Sequence, residues 1–190
     1  MKTIPLRTLI FLTLCCDLGL FSKRLISPAA NLLTDFLHIP GGIGTSFSLM
    51  FLVVAAVMVE RLGCAAVMGI VQSALALAFG MVGSMGALSA IGYIVPGIVI
   101  DLFLFITRKG PLPRRERIVL ANAAAASCAA LTANFIVFRL QGAALLLYLC
   151  VSATSGAIFG LLGAEIARRL APIFGTEFSK RKGRKRIWKN

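Results

Sequence analysis

The sequence predicts an all-α membrane protein, a bundle of six transmembrane helices with both termini in the cytoplasm. The composition comes first: 58% of the 190 residues are hydrophobic, only 14% are charged, and the mean hydropathy is +0.91. A bilayer-crossing helix needs about 20 mostly apolar residues, and six such stretches alternate with charged or Gly/Pro-rich breaks. Threading them as spans leaves seventeen of the twenty Lys and Arg residues on one side, with only Lys23, Arg24 and Arg139 on the other. Such an excess marks the cytoplasmic side.

The first three predicted spans are separated by one long loop and one tight turn. The first span ends at Ser27-Pro28, where the helix is expected to stop. The loop that follows is amphipathic at first and closes at the Pro40-Gly41-Gly42 turn signal, so we expect it to fold back onto the bundle. Glu60-Arg61 mark the turn between spans two and three. These spans cover residues 6–26, 47–59 and 62–79.

The last three predicted spans are bounded by glycine-rich and basic segments. A turn with three glycines precedes span four, whose Pro96-Gly97 pair is expected to kink or interrupt the helix. A loop with five basic residues and two prolines leads to span five, and Arg139 with Gln141 mark the next turn. Arg168-Arg169 mark the inner end of span six. These spans cover residues 87–106, 118–138 and 143–167.

The chain is predicted to hold one transmembrane domain, residues 1–175, and a basic cytoplasmic tail, residues 176–190. The spans leave no room for a soluble catalytic domain, so an enzyme is not expected. The net charge of +13 is interpreted as a topology signal that also meets anionic lipid headgroups, with no nucleic-acid partner. The N-terminus resembles a signal peptide, but Asp17 breaks its apolar region and no cleavage site is expected.

Charged residues within the spans need a reason, since a charge at mid-bilayer costs about 2.5–3.5 kcal/mol. Asp17 lies near the midplane of span one. It either pairs internally with Arg24 or Lys23, or faces a ligand. Asp101 and Glu165 are expected to form ion pairs with nearby arginines at the inner side, or to contact a cytoplasmic partner.

Four polar side chains on different spans lie at midplane-to-outer depth: Gln72, Tyr93, Asn134 and Tyr148. Polar groups at matched depth can converge on one cavity, and aromatic rings with hydrogen-bonding tips suit a small heteroaromatic ligand. The alternative is that the amides bond helices together and the tyrosines belong to an interfacial belt. Asn31 and His38 in the first outer loop could belong to a lid. A lone His supports no metal site, and no cofactor is expected.

Small residues recur at helical spacing on three spans. Gly156, Gly160 and Ala164 form one stripe, Ala74 and Ala78 a second, and Cys15 and Gly19 a third. Small residues allow close helix approach, either within one bundle or against a partner membrane protein. The five cysteines lie in apolar surroundings and are interpreted as buried small side chains.

Three segments resemble the substrate-binding S components of energy-coupling-factor (ECF) vitamin transporters, in particular the hydroxymethylpyrimidine/thiamine-type members of the YkoE family. They are GCAAVMGIVQSALALAFG, GALSAIGYIVPGIVIDLFLFITRKG and LCVSATSGAIFGLLGAEIARRLAPIFG. The resemblance implies six helices, an outer-half pocket under the first loop, and partnership with a transmembrane T component and two ATPases. Such subunits commonly carry an alanine pair on the first helix for docking, where this chain has only Cys15 and Gly19.

The function expected from the resemblance is binding of a small water-soluble vitamin or precursor, with the thiamine/hydroxymethylpyrimidine class favoured, for ATP-driven uptake across the plasma membrane. The chain lacks a Walker A motif and cannot power transport by itself. The expected pocket consists of Asp17, Gln72, Tyr93, Asn134 and Tyr148. Two alternatives stay open: a small stand-alone channel or secondary carrier, which would need a continuous polar path, and a membrane scaffold without a ligand.

Overall fold

The computed structural model describes residues 6–36, 42–81, 86, 88–108 and 110–174, and this part of the chain is helical apart from short turns. A five-residue π-helix, Asn134–Phe138, continues the fifth helix. The six α-helices are α1 (Leu6–Phe36), α2 (Ile43–Val59), α3 (Cys64–Ala78), α4 (Ser89–Thr107), α5 (Arg114–Ala133) and α6 (Ala143–Phe174). The all-helical prediction is therefore confirmed for the described residues.

Three helical stretches are long and apolar enough to cross a membrane: Ser89–Thr107, Arg114–Phe138 and Ala143–Pro172. The helices α2 and α3 are apolar but shorter. The helix α1 has 31 residues, but charges at Arg7, Asp17, Lys23 and Arg24 interrupt its apolar run. Length and composition thus identify half of the predicted spans directly.

The first helix extends ten residues beyond its predicted end. Ser27 and Pro28 lie inside α1, which continues to Phe36. A proline removes one backbone hydrogen bond, to the residue four positions earlier, and a long helix can absorb that loss. The amphipathic spacing of Leu32, Leu33 and Phe36 therefore belongs to a helix, and the prediction of a loop over these residues was wrong. In the same way α4 runs through Pro96 without interruption.

The helix α2 lies at the centre of the bundle and contacts all five other helices. Twelve of its 17 residues are buried, and they point in every direction around the helix axis. A helix that is apolar all round is buried all round. Around it, α1 packs on α3, α3 on α4, α4 on α5 and α5 on α6, so the outer five helices enclose α2.

Glycines set the closest helix contacts. A Cβ placed on Gly97 of α4 would lie 2.6 Å from the carbonyl oxygen of Ala65 on α3. A Cβ on Gly160 of α6 would lie 2.7 Å from the Cα of Val119 on α5, and one on Gly156 would lie 2.8 Å from the Cα of Ala123. The stripe on α6 therefore packs within the bundle, as one of the two interpretations expected.

The bundle buries polar side chains between its helices and exposes apolar ones. Buried polar side chains line the contacts between helices, whereas large exposed apolar side chains cover the outer faces of α1, α3, α4, α5 and α6. The buried polar residues are Ser46, Ser48, Gln72, Ser73, Ser89, Asp101, Asn122, Asn134, Ser152 and Ser155. Large apolar side chains exposed on the outer faces of five helices are typical of contact with lipid or with membrane partners.

Candidate functional site

The predicted pocket residues fall into two groups, on either side of α2. The first group lies where α1, α3 and α4 meet. There the ammonium nitrogen of Lys23 sits 4.4 Å from the centre of the Tyr93 ring. Tyr93 is buried at 8% exposure and packs with Leu20 and Ala76, which are fully buried. We call the end of the bundle where α3 finishes and α4 begins the Lys23 end.

Lys23 was not among the predicted site residues, yet it is the charged group of this cluster. No carboxylate of the described residues lies within ion-pair distance of its ammonium. A cation over an aromatic face gains about 0.5–2 kcal/mol, depending on how dry the site is. The sequence signal was a lysine near the outer end of a span, and it had been interpreted as part of the outer charge count or as a partner of Asp17.

Gln72 lies beside this cluster but is already bonded. Its Nε2 donates to the carbonyl oxygen of Cys16 at 2.8 Å, and only 1% of the residue is exposed. The two helices approach closely here, since a Cβ placed on Gly19 of α1 would lie only 2.6 Å from the same nitrogen. Gln72 therefore holds α3 against α1, which agrees with the interpretation of the amide as an interhelical bond.

Asp17 is half-buried on α1 and forms no ion pair with the described residues, so the expected pairing with Lys23 or Arg24 was wrong. Helix geometry explains this. Lys23, six residues on, points about 120° away from Asp17, while Arg24 shares its face but lies about 10 Å further along the axis. The carboxylate is thus separate from the Lys23–Tyr93 contact.

The second group lies between α5 and α6. Asn134 is bonded to the turn that follows it: its Oδ1 accepts from the backbone N–H of Leu140 at 2.7 Å, and its Nδ2 donates to the Leu140 carbonyl at 3.3 Å. It therefore shapes the end of the π-helix. Tyr148 is buried at 5% exposure, with its ring 5.8 Å from that of Phe138 in an edge-on arrangement.

The two groups do not form one pocket, because α2 packs between them. The prediction that Asn31 and His38 belong to a lid concerns side chains outside the described part of the chain. Asn31 lies on α1, and its side chain is outside the described residues. His38 also lies outside the described residues.

Sequence reasoning missed a polar seam that joins α2, α5 and α6. The hydroxyls of Ser46 and Ser155 lie 2.8 Å apart, and the Ser152 hydroxyl donates to the Ala126 carbonyl at 2.9 Å. Asn122 donates to the carbonyls of Gly156 at 2.7 Å and Ser46 at 3.3 Å. Its Oδ1 is buried and has no hydrogen-bond partner among the described residues. Serines in an apolar run carry little sequence signal, so only the packing reveals this seam.

A cavity of about 510 Å³ lies at the opposite end of the bundle, where α2 and α4 finish and α3 and α5 begin. We call this the Arg114 end. Four arginines line the cavity: Arg61, Arg108, Arg114 and Arg117. Arg114 forms an ion pair with Glu60 and donates to the Val57 carbonyl at 2.9 Å.

Asp101, at the same end, does not pair with Arg108 as one expectation had it. Its carboxylate accepts hydrogen bonds from the backbone N–H groups of Ala65 at 3.2 Å and Ala66 at 2.8 Å. It therefore caps the first turn of α3 from the neighbouring helix, where the helix dipole favours a negative charge. By contrast, Glu165 does form the expected ion pairs, with Arg168 at 2.6 Å and Arg169 at 3.0 Å.

The three small-residue stripes have different surroundings. Cys15 and Gly19 are buried inside the bundle, and the α6 stripe packs on α5. Ala74 and Ala78 are exposed on α3 beside Val67, Ile70 and Leu77. Of the three stripes, only the one on α3 faces outward.

Among the residues that the structure describes, no group of three His, Cys, Asp or Glu side chains is placed to hold a metal ion. Comparison of the chain with protein-family models, with curated proteins and with solved structures finds no match.

Proposed function

We propose that the chain crosses the membrane six times with both termini in the cytoplasm, and that it is the substrate-binding subunit of an ECF-type vitamin transporter. The Lys23 end faces outside and the Arg114 end faces the cytoplasm. The charge distribution supports this orientation, because five arginines lie in the turns and helix ends of the Arg114 end: Arg61, Arg108, Arg114, Arg115 and Arg117. Cytoplasmic loops carry such an excess of arginine and lysine.

The packing of the shorter helices supports six crossings. The helix α2 has 17 residues and is therefore about 25 Å long, somewhat less than the apolar thickness of a bilayer. It is surrounded by the five other helices and carries no large exposed apolar side chain. A helix shielded in this way does not need to match the lipid thickness, since its ends meet protein.

The Lys23–Tyr93 contact is the single observation that carries the binding proposal. An ammonium group inside a helical bundle is costly without a compensating partner, and among the described residues the Tyr93 ring faces it while no carboxylate pairs with it. A ligand that offers hydrogen-bond acceptors or a negative charge would complete its coordination. Within the thiamine/hydroxymethylpyrimidine class, a neutral pyrimidine or a phosphorylated form fits beside Lys23 better than the thiamine cation does.

The alternative of a stand-alone channel or carrier has less support. A polar path would have to join the two ends of the bundle. Between them the described core around α2 is mostly apolar, with Leu52, Val53 and Ile100 fully buried, and the serine hydroxyls of the polar seam are bonded to one another or to backbone carbonyls. Uptake into vesicles by the chain alone, without ATP, would favour this alternative. Uptake that requires the T component and both ATPases would favour the proposal.

The outward stripe of Ala74 and Ala78 on α3 suits contact with the T component. Small side chains let a partner helix approach closely. The corresponding position on α1 is occupied by Cys15 and Gly19, which are already used for packing inside the bundle.

Ligand binding is tested with the Lys23→Met variant. The wild-type protein in detergent is titrated with hydroxymethylpyrimidine, its phosphate, thiamine and other vitamins, and the unfolding temperature is recorded. We expect a ligand-dependent rise for the wild type and at least about a tenfold loss of affinity in the variant, which corresponds to about 1.4 kcal/mol.

The matched control is Arg24→Met, which removes the same charge from the next residue, an exposed position on α1. It is expected to bind as the wild type does. Equal losses in both variants, or no ligand-dependent shift for a folded wild type across the whole panel, would contradict the proposal.

A further inference from the structure

The cavity at the Arg114 end shares no residue with the Lys23–Tyr93 cluster and lies at the other end of α2. Its walls come from the α2–α3 turn, the end of α4, the α4–α5 loop and the start of α5. Its volume of about 510 Å³ lies within the range of roughly 300–1,000 Å³ that small-molecule sites occupy. The cavity therefore has room for a ligand the size of a phosphorylated headgroup.

Positive charge is in excess on the cavity wall. Four arginines and two acidic residues, Glu60 and Asp101, line the cavity, so the net formal charge of the lining is +2. Both carboxylates are already bound within the chain: Glu60 pairs with Arg114, and Asp101 caps the backbone N–H groups of α3. The acidic groups are therefore engaged, and the excess charge favours an anion.

Part of the wall is held in place by hydrogen bonds between helices. Arg117 donates to the Leu104 carbonyl at 3.1 Å and to the Thr107 hydroxyl at 3.3 Å, both on α4. Arg114 joins α5 to the end of α2 through the Val57 carbonyl. These bonds fix two guanidinium groups before any ligand arrives, and a preorganised site loses less entropy on binding.

The rim of the cavity combines charge with exposed apolar surface. Leu62 is 67% exposed and Phe105 is 58% exposed, and both line the cavity together with the arginines. Basic pockets between membrane helices on the cytoplasmic side bind phosphate-bearing lipid headgroups in this way, with the acyl chains against apolar side chains. Arginine is also the side chain best suited to a phosphate group, because its planar fork can donate two hydrogen bonds at once.

We propose that this cavity binds a phosphate group, presented either by an anionic phospholipid or by a soluble phosphate ester. The two sources share their chemistry and differ in the apolar part of the ligand. Arg61 and Arg108 are the residues to replace, since both are exposed at the cavity. Their replacement leaves in place the hydrogen bonds that Arg114 and Arg117 donate to backbone carbonyls of α2 and α4.

The test compares R61Q/R108Q with R7Q/R115Q, which removes the same charge from exposed positions outside the cavity. One arm measures the binding of phosphatidylglycerol against phosphatidylcholine to the purified protein in neutral detergent by native mass spectrometry. The other titrates glycerol 3-phosphate and inorganic phosphate by thermal shift. We expect the cavity variant, which has lost two surface charges, to bind about tenfold more weakly. The control is expected to bind as the wild type does.

Loss of phosphatidylglycerol binding in the cavity variant alone identifies a lipid headgroup, and loss of soluble phosphate binding alone identifies a soluble ester. Each result supports the site. Equal affinities in the cavity and control variants overturn it, as does a wild type that binds neither ligand. If R61Q/R108Q is not monodisperse, Arg108→Gln alone is compared with Arg115→Gln under the same criteria.

Discussion

Asp101 shows how a single carboxylate in an apolar helix can be satisfied without a basic partner. Its two oxygens accept hydrogen bonds from successive backbone N–H groups at the start of α3. The N-cap residue of α3 is Gly63, which has no side chain to accept these bonds. The first four N–H groups of any helix lack partners within that helix. Asp101 therefore stabilises the junction of α3 and α4 and also keeps its own charge engaged at the cavity.

Replacing Asp101 by Ala is expected to lower the free energy of unfolding by about 1–2 kcal/mol, because the backbone N–H groups of Ala65 and Ala66 would lose their hydrogen-bond acceptor. The measurement is the unfolding midpoint in detergent. Asp17→Ala serves as the control, since Asp17 makes no ion pair with the described residues and a change within about 0.5 kcal/mol is expected. A larger effect at Asp17 than at Asp101 would contradict this assignment of the cap.

At the level of elements, the close contact of α5 with α6 depends on two glycines of α6, which have no side chain to hold the helices apart. Gly156 and Gly160 allow α6 to lie directly on the backbone of α5 at Val119 and Ala123. Asn122, between these positions, bonds across the same contact to the Gly156 carbonyl. Close approach therefore brings a polar group of one helix within reach of the backbone of the other.

Gly160→Ala is expected to destabilise the protein by about 1–3 kcal/mol, because the added methyl would meet backbone atoms that cannot move without separating the helices. Gly163→Ala on the same helix is the control. Its Cβ would meet side-chain atoms of α2, the Cγ of Met50 at 2.8 Å and the Cγ2 of Val54 at 3.3 Å, rather than backbone, and side chains can repack, so a smaller loss is expected. Thermal unfolding in detergent checks both, and equal losses would show that crowding in general, rather than this backbone contact, decides the effect.

At the level of the whole molecule, the orientation in the membrane can be tested with single cysteines in a variant whose five native cysteines are replaced. Gln141→Cys lies in the α5–α6 turn and Pro111→Cys in the α4–α5 loop, both exposed. In intact cells a membrane-impermeant maleimide is expected to label the first variant and to label the second only after permeabilisation. The reverse pattern would contradict the proposed orientation, and labelling of both in intact cells would contradict the proposed crossing between them.

The sequence predicted the number and approximate position of the helices well, because apolar run length and charged breaks report directly on what a bilayer can accept. It failed at the end of α1, because Pro28 was interpreted as the end of the helix although the amphipathic spacing beyond it indicated that the helix continues. It also failed to predict the grouping of the site residues. Tyr93 and Tyr148 lie at similar depth in the threading, yet α2 packs between their groups, and depth along a span contains no information on which helices are neighbours.

By itself, then, the sequence determined that the described part of this protein is built of apolar helices separated by short charged or glycine-rich turns, since apolar run length and turn composition sum over residues whatever their neighbours. Only the tertiary structure decided which polar groups meet. It placed Lys23 over Tyr93, bonded Gln72 and Asn134 to nearby backbone, and enclosed the arginine-lined cavity. These contacts depend on distances between helices, which close packing around glycines and around the central α2 sets.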